Sequence, residues 1–227
     1  MKILAVDSSA VTASCALVED GRLVSYSFVN AGLTHSQTLM PLISQVMKTA
    51  QTDISQIDRL AVSNGPGSFT GVRIGVSTVK GIGFTNDIPC VGVSSLLAAA
   101  YPFSALDGHL CAVMDARRAQ VYTATFKNGV KPIRLTDDRA ISIAELTQEL
   151  KQIDTTVWLC GDGAMLCYES MKDCVPNIKL APDLMRYQNA YGTALAAMDA
   201  EPVSPAELLP VYLRLPQAER ELRERSL

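Results

Sequence analysis

The sequence predicts an α/β protein of two lobes, each built on a mixed β-sheet with a β-β-β-α-β-α layout. Three observations support this fold class. Of the 227 residues, 48% are hydrophobic and 19% are charged, which is typical of a globular chain with ample core. Short β-like runs alternate with helical runs, as in α/β folds. The order of elements in the first half returns in the second, and each half begins with a strand that ends at an aspartate, Asp7 and Asp115.

Three strands open the first half. Residues 3–6 form an apolar strand that ends at Asp7, and β-like runs follow at residues 12–18 and 23–29. The last two runs flank Asp20-Gly21, a dipeptide that favours a tight hairpin turn.

An amphipathic helix comes next and begins at Thr34. Thr34 and Gln37 have the spacing of a capping box. Apolar residues then recur at helical spacing, namely Leu39, Leu42, Ile43, Val46, Met47 and Ala50. We expect Leu39 and Ile43 to cover the sheet. Met40 and Met47 share one flank of the helix, which is either a core edge or an adaptable contact surface.

A glycine-rich turn, residues 64–73, joins a strand at 59–63 to a helix at 71–84. Gly65 and Gly67 can adopt positive φ, and Thr70 is the expected N-cap of the helix. The turn has two interpretations. It is either an anion site that includes Ser68, at a helix N-terminus, or a tight crossover that brings the helix close to the sheet. A strand at 88–93 and a short helix at 94–100 complete the first half.

The second half repeats this layout. Its predicted elements are strands at 110–114, 120–126, 130–135 and 156–160, and helices at 142–151, after 161–163, at 183–198 and at 219–225. Asn128-Gly129 predicts a hairpin turn, and Ser142 with Glu145 predicts a second capping box. We expect an N-terminal lobe at 1–102, joined by the segment 206–227, and a C-terminal lobe at 103–205. Asp7 and Asp115 should line the cleft between the lobes.

Composition excludes several classes of protein. A net charge of −3 gives no general attraction to nucleic acid. The six cysteines contain no C-x-x-C pair, which argues against a zinc site or a redox motif. The N-terminus enters a strand directly and no apolar run is long enough for a membrane span, so we expect a cytoplasmic protein.

Several motifs together resemble one family. The duplicated lobes, each with an aspartate in its first turn, resemble the actin–hexokinase–Hsp70 superfamily, whose actin-like lobes are RNase H-like. The closer resemblance is to the TsaB family, which is glycoprotease-like. It rests on the following motifs, in order along the chain: Asp7-Ser8-Ser9, Thr34-His35-Ser36, residues 64–73, Asp115-Ala116-Arg117-Arg118, Gly161-Asp162-Gly163-Ala164 and Pro210-Val211-Tyr212-Leu213-Arg214.

This resemblance implies a role in the formation of threonylcarbamoyladenosine in tRNA. It implies a non-catalytic subunit that binds a TsaD-like catalytic subunit, together with a TsaE-like P-loop ATPase. The chain would contact tRNA through the complex. ATP or ADP would bind at the assembled complex and not to the chain alone. A homodimer could form when the partner is absent. The catalytic relative holds a metal through two histidines four residues apart. Here Leu39 stands four residues after His35, so we expect no metal site.

Two sets of candidate residues follow, and no catalytic residue is expected. The partner interface should include His35, Met40, Met47, Arg73, Ser77 and Lys80. A candidate nucleotide or anion site comprises Asp7, Gly65, Gly67, Ser68, Thr70 and Asp115. The alternative function is a stand-alone nucleotide-dependent ATPase or kinase of the same superfamily. A protease with Ser68 or Cys111 as nucleophile is disfavoured, because no histidine is evidently placed to activate either residue.

Overall fold

A computed structural model describes residues 1–103 and 106–214 of the chain. It contains two mixed β-sheets with helices on both faces, as the sequence predicts. The strands of the first sheet are β1 (Lys2–Asp7), β2 (Ala13–Glu19), β3 (Arg22–Val29), β4 (Arg59–Gly65) and β5 (Cys90–Ser94). Its helices are α1 (His35–Thr49), α2 (Phe69–Asn86) and α3 (Ser95–Ala100), with short 3-10 turns at Ile54–Gln56 and Tyr101–Phe103.

The second sheet follows the same plan. Its strands are β6 (His109–Asp115), β7 (Gln120–Lys127), β8 (Ile133–Arg134), β9 (Arg139–Ser142), β10 (Val157–Cys160) and β11 (Ile178–Leu180). The helices of this half are α4 (Ile143–Leu150), α5 (Ala164–Met171), α6 (Asp183–Arg186) and α7 (Ala190–Ala197). No helix in the described residues is long and apolar enough to cross a membrane.

The two sheets share one topology. The first has the order β3-β2-β1-β4-β5, with β1 antiparallel to β2 and parallel to β4. The second has the order β11-β10-β6-β7-β8, with β6 antiparallel to β7 and parallel to β10, and β9 also pairs with β7. Because β1 and β6 occupy the same place in their sheets, Asp7 and Asp115 end equivalent strands. The duplicated layout predicted from the sequence is confirmed.

Four apolar clusters fill the spaces around the sheets. Helices α1 and α2 cover one face of the first sheet, where Leu39 and Ile43 are buried as predicted. Helix α7 and part of α3 cover the other face. The rest of α3 packs on the second sheet, whose far face carries α4 and α5. Helix α3 therefore lies between the two halves of the molecule.

Two local signals, the Asp20-Gly21 turn and the Ser142–Glu145 capping box, are confirmed. Asp20 and Gly21 both have positive φ and close the β2–β3 hairpin. Ser142 accepts a hydrogen bond from the backbone N–H of Glu145, whose carboxylate accepts one from the backbone N–H of Ser142, so this capping box is present. Thr34 does precede α1, but its side chain makes no capping hydrogen bond, so the box predicted with Gln37 is wrong.

Two further predictions need correction. The continuous helix expected over 183–198 is broken after Arg186, because Tyr187 is extended and Asn189 caps a new helix through the backbone N–H of Gly192. The return strand expected at 130–135 is reduced to the two residues of β8. The helix predicted at 219–225 lies outside the described residues.

The last described segment, residues 206–214, runs back over the first half, and we call it the tail. Val211 N donates to Asn64 O (2.7 Å), and Lys80 Nζ donates to the carbonyl oxygens of Ala206 and Leu208. Helix α7 likewise packs on the first sheet although it follows the strands of the second. The lobe boundaries themselves stay a prediction.

Candidate functional site

The main concavity is a cleft of about 460 Å³ between the two halves. Four segments line it: residues 9–11 after β1, residues 66–70 at the start of α2, residues 114–117 at the end of β6, and residues 211–214 of the tail. Tyr122 and Asp162 complete the wall. The ends of equivalent strands meet here because the two sheets share one topology, which is where ligand sites form in α/β folds.

Asp7 does not reach this cleft. Its side chain is fully buried, and its Oδ1 accepts hydrogen bonds from the backbone N–H and the hydroxyl of Ser9, both at 2.9 Å. Burial raises the pKa of its carboxyl above the ordinary value. The prediction that Asp7 lines the cleft is therefore wrong. The carboxylate closes the turn after β1 instead of facing a ligand.

Asp115 does line the cleft, as predicted. Its Oδ1 accepts from the backbone N–H of Arg117 (2.7 Å), and its Oδ2 pairs with Arg117 Nη1 (3.1 Å). A second carboxyl, Asp162, lies in the same cleft and was not among the predicted site residues. Burial raises the pKa of Asp162 to about 6, with a smaller contribution from the negative charge of Asp115. The sequence signal that could have identified Asp162 as a cleft residue is its place in the Gly161-Asp162-Gly163 turn after β10.

The glycine-rich turn is a tight crossover, as one of its two interpretations predicts, and the anion site stays a prediction. Ser68, not Thr70, is the N-cap of α2, because the Ser68 hydroxyl accepts from the backbone N–H of Gly71. Thr70 is exposed at the cleft, and Gly67 also lines it. A Cβ atom on Gly67 would overlap the carbonyl oxygen of Ser9, so this glycine is required by close approach of the backbone.

Gly65 serves the tail and not the cleft. It has φ of +131°, and a Cβ atom there would overlap the carbonyl oxygen of Val211. The peptide bond that follows it, Gly65-Pro66, is cis. The strand-to-helix turn thus holds the tail on one side and opens the N-terminus of α2 to the cleft on the other.

The residues predicted for a partner interface have different surroundings. Met40 is 51% exposed, and Ser77 is exposed on α2. Met47 is half-buried and packs against the core under α1. His35 is half-buried, and its Nε2 lies 2.7 Å from the carbonyl oxygen of Ala10.

Arg73 and Lys80, the two predicted cations of that interface, bind the tail. Arg73 Nε donates to the hydroxyl of Tyr212 (2.8 Å), and its guanidinium lies 3.8 Å from the centroid of the Phe69 ring. Lys80 holds the two tail carbonyls described above. We expected the segment 206–227 to join the first lobe, but the sequence did not show that Arg73 and Lys80 would be its partners.

A family model described as "TsaD: tRNA N6-adenosine threonylcarbamoyltransferase" matches residues 30–198. The tRNA threonylcarbamoyladenosine biosynthesis protein TsaB of Bacillus subtilis is 31% identical over 96% of this chain and 96% of its own length. The chain belongs to the TsaB family. TsaB chains therefore share a family model with the TsaD-type threonylcarbamoyltransferases.

Two other relatives agree with this assignment. The TsaB protein of Escherichia coli is 36% identical over 57% of this chain and 58% of its own length. A crystal structure from Pseudomonas aeruginosa, of a protein described as similar to the peptidase YeaZ, superposes with a TM-score of 0.78. It covers 94% of this chain and 99% of its own, and its 23% identity shows a shared fold. The fold of this TsaB chain is the two-lobe actin-like α/β fold.

Proposed function

We propose that this TsaB chain is a non-catalytic subunit of the complex that forms threonylcarbamoyladenosine in tRNA. In this proposal it binds and supports a TsaD-type catalytic subunit in the cytoplasm, together with a TsaE-type ATPase. Membership of a family whose curated relatives are named for this biosynthesis supports the role in tRNA modification. The match to the TsaD family model supports descent from a common ancestor with the catalytic subunit.

The surroundings of His35 carry the non-catalytic part of the proposal. In the catalytic relative, the resemblance implies a metal held by two histidines four residues apart on one helical face. Here the second position is Leu39, which is 1% exposed and belongs to the core under α1. The ring of His35 lies between Ala10 and Gly71 and bonds the carbonyl oxygen of Ala10. The inner side of α1 is used for packing, which supports a chain without the metal site of the catalytic relative.

The partner is proposed to bind the face made by α1 and α2, which we call the helix face. Met40 is exposed there, and methionine fits irregular partner surfaces. On α2, Ser77 is exposed and the position of Gly81 opens into free space, so a partner helix could approach closely. Arg73 and Lys80 contribute indirectly, since they fix the tail beside this face.

The alternative function, a stand-alone ATPase or kinase, rests on the cleft. Asp115 and the N-terminus of α2 both face it, which suits a nucleotide phosphate and its cation. The burial of Asp7 disfavours this alternative, because the carboxylate expected to assist a bound cation is sealed beneath Ser9. We therefore assign ATP or ADP to the assembled complex.

Reconstitution distinguishes the two functions. The purified chain alone should turn over no ATP and modify no tRNA, whereas addition of TsaD-type and TsaE-type subunits should produce threonylcarbamoyladenosine. Omission of this chain from the full mixture should abolish or strongly reduce the product. Sustained ATP turnover by the isolated chain, lost in an Asp115→Asn variant, would instead establish the alternative.

A further inference from the structure

Three separate segments bring arginine side chains to the mouth of the cleft. Arg117 comes from the β6–β7 loop and Arg214 from the tail, and both line the cleft. Arg73 comes from α2 and stacks on Phe69, which also lines the cleft. We call these three side chains the arginine rim. In a chain of net charge −3, such a local concentration of guanidinium groups marks a surface suited to an anionic partner.

Aromatic rings are interleaved with the arginine rim. The rings of Phe69 and Tyr212 lie 4.9 Å apart between centroids, and both line the cleft. Tyr212 is 40% exposed, so part of its ring is open to a ligand. Guanidinium groups alternating with exposed aromatic rings are typical of surfaces that bind single-stranded nucleic acid, where phosphates meet arginine and unpaired bases stack on rings.

The β6–β7 loop holds Arg117 outward. Arg117, Arg118 and Ala119 all have φ between +54° and +64°, a conformation that is uncommon for residues other than glycine. Arg214 supports the loop from the tail: its Nη1 donates to the carbonyl oxygen of Ala116 (3.0 Å), and its Nη2 donates to the side chain of Gln120. The loop is thus fixed in an unfavourable backbone conformation that displays two consecutive arginines.

The side chain of Arg117 can change partners. It is 81% exposed although it pairs with Asp115. An ion pair with so much solvent access contributes little to stability, so a phosphate can replace the carboxylate at little cost. Within the cleft itself, Asp115 and Asp162 would repel the clustered charge of a free nucleoside triphosphate. An RNA backbone that passes along the rim is repelled less, because its phosphates each carry a single negative charge and are spread along the chain.

We propose that the arginine rim contacts an unpaired segment of tRNA in the assembled complex, with phosphates on Arg117 and Arg214 and a base on the exposed ring of Tyr212. This inference rests on the proposed function, because it takes its RNA from the reaction of the complex. It adds a direct substrate contact by the non-catalytic subunit.

The test uses the complete complex and an unmodified tRNA that reads codons beginning with adenosine. Arg117→Glu should weaken tRNA binding about tenfold at about 150 mM salt and flatten the dependence of affinity on salt concentration, as expected for loss of a phosphate contact. Arg22→Glu, which makes the same charge change at an exposed position on β3, is the matched control and should bind tRNA like the wild type.

Assembly is measured first, by size-exclusion chromatography of each variant with its partner subunits. If the wild-type chain does not assemble with them, the proposed function is wrong. If Arg117→Glu assembles and binds tRNA like the wild type, only the present inference is wrong. Loss of assembly in Arg117→Glu, with Arg22→Glu intact, would show that the rim binds a protein subunit and would also overturn the inference.

A photo-crosslinking residue gives a second, independent measurement. Placed at Thr70, which is exposed at the cleft, it should capture tRNA in the assembled complex. Placed at Thr85, which is exposed near the other end of the same helix, it should not. Capture of a protein subunit without tRNA at Thr70 would contradict the proposal.

Discussion

In the cleft, burial disfavours the charged form of the Asp162 carboxyl group. Its folded-state pKa of about 6 lies above the value near 3.9 expected in an unfolded chain, because burial disfavours the carboxylate. The folded state therefore binds more protons between about pH 4 and pH 6. Stability should fall as the pH rises through this window, and the full loss, up to about 3 kcal/mol, should be present above pH 6.

We predict that Asp162→Asn removes this contribution to the pH dependence. Asparagine carries no charge to desolvate and can still accept from Gln188, which donates to Asp162 Oδ1 at 3.1 Å. Urea unfolding between pH 4 and pH 7.5 should show a flatter profile for the variant than for the wild type. Asp173→Asn, at an exposed position, controls for the loss of one negative charge. Superimposable wild-type and Asp162→Asn profiles would show that Asp162 titrates alike in both states.

The sequence identified which residue types matter at the cleft more reliably than their individual roles. Thr70 was the expected N-cap of α2, but Ser68 caps the helix, because a one-dimensional pattern cannot tell which hydroxyl faces the first turn. Asp7 and Asp115 end equivalent strands, but Asp7 is covered by the turn that follows it whereas Asp115 is open. That difference depends on how each turn folds over the end of its strand, which the pattern of the strand alone does not encode.

At the scale of the helix, the face of α2 that packs on the first half must carry small residues. A methyl group added at Gly71 would overlap the carbonyl oxygen of Ser8, a backbone atom that cannot move aside. Gly81 lies on the same helix with nothing within 4 Å of such a methyl group. We predict that Gly71→Ala destabilises the chain by more than 2 kcal/mol, since overpacking against backbone forces the helix away from the sheet.

Gly81→Ala is the matched control and should stabilise the chain by about 0.5–1 kcal/mol, because alanine restricts the unfolded chain and favours the helix. Denaturant midpoints of the two variants measure both effects. Equal midpoints would mean that α2 can shift freely on the sheet.

On helix α1, a substitution at Met40 alone tests partner binding more sharply than substitutions at both Met40 and Met47. Met40 is exposed, whereas Met47 packs against the core, so a charge at position 47 would also disturb folding. We predict that Met40→Glu folds cooperatively and loses the TsaD-type subunit. A charge buried at an interface should cost several kcal/mol, which is enough to lose a micromolar complex.

Ile43→Glu is the control for that experiment, because Ile43 is 6% exposed and packs into the core from the inner side of α1. It should unfold the first half of the molecule, as seen by thermal melting. A Met40→Glu chain that folds and still co-purifies with the partner would show that the helix face is not the interface.

Helices and strands were largely predictable because their signals are short. Asp20-Gly21 and the Ser142–Glu145 box act within four residues, and both are present in the structure. The break between α6 and α7 was not foreseen, since helix-compatible residues before Asn189 and the alanine-rich α7 after it hide its capping role. The tail was expected to join the first lobe, but its individual contacts were not predicted, because its partners Asn64, Arg73 and Lys80 lie more than a hundred residues away.

At the scale of the whole molecule, charge governs what the chain can bind alone. A net charge of −3 opposes association with a polyanion, and the arginine rim covers a small part of the surface. We predict that the isolated chain binds tRNA with a Kd weaker than about 1 µM at about 150 mM salt, in the range of non-specific binding. Fluorescence titration with labelled tRNA measures this. Sub-micromolar affinity of the isolated chain would show that it needs no partner to hold RNA.

The position of α7 also matters while the protein is being made. This helix covers one face of the first sheet, yet it is synthesised about a hundred residues after the last strand of that sheet. A ribosome-bound nascent chain would therefore carry β1 to β5 with an apolar face still open to chaperones until α7 emerges. The first half cannot finish folding when its own strands are complete, and it must wait until the second half and α7 have been synthesised.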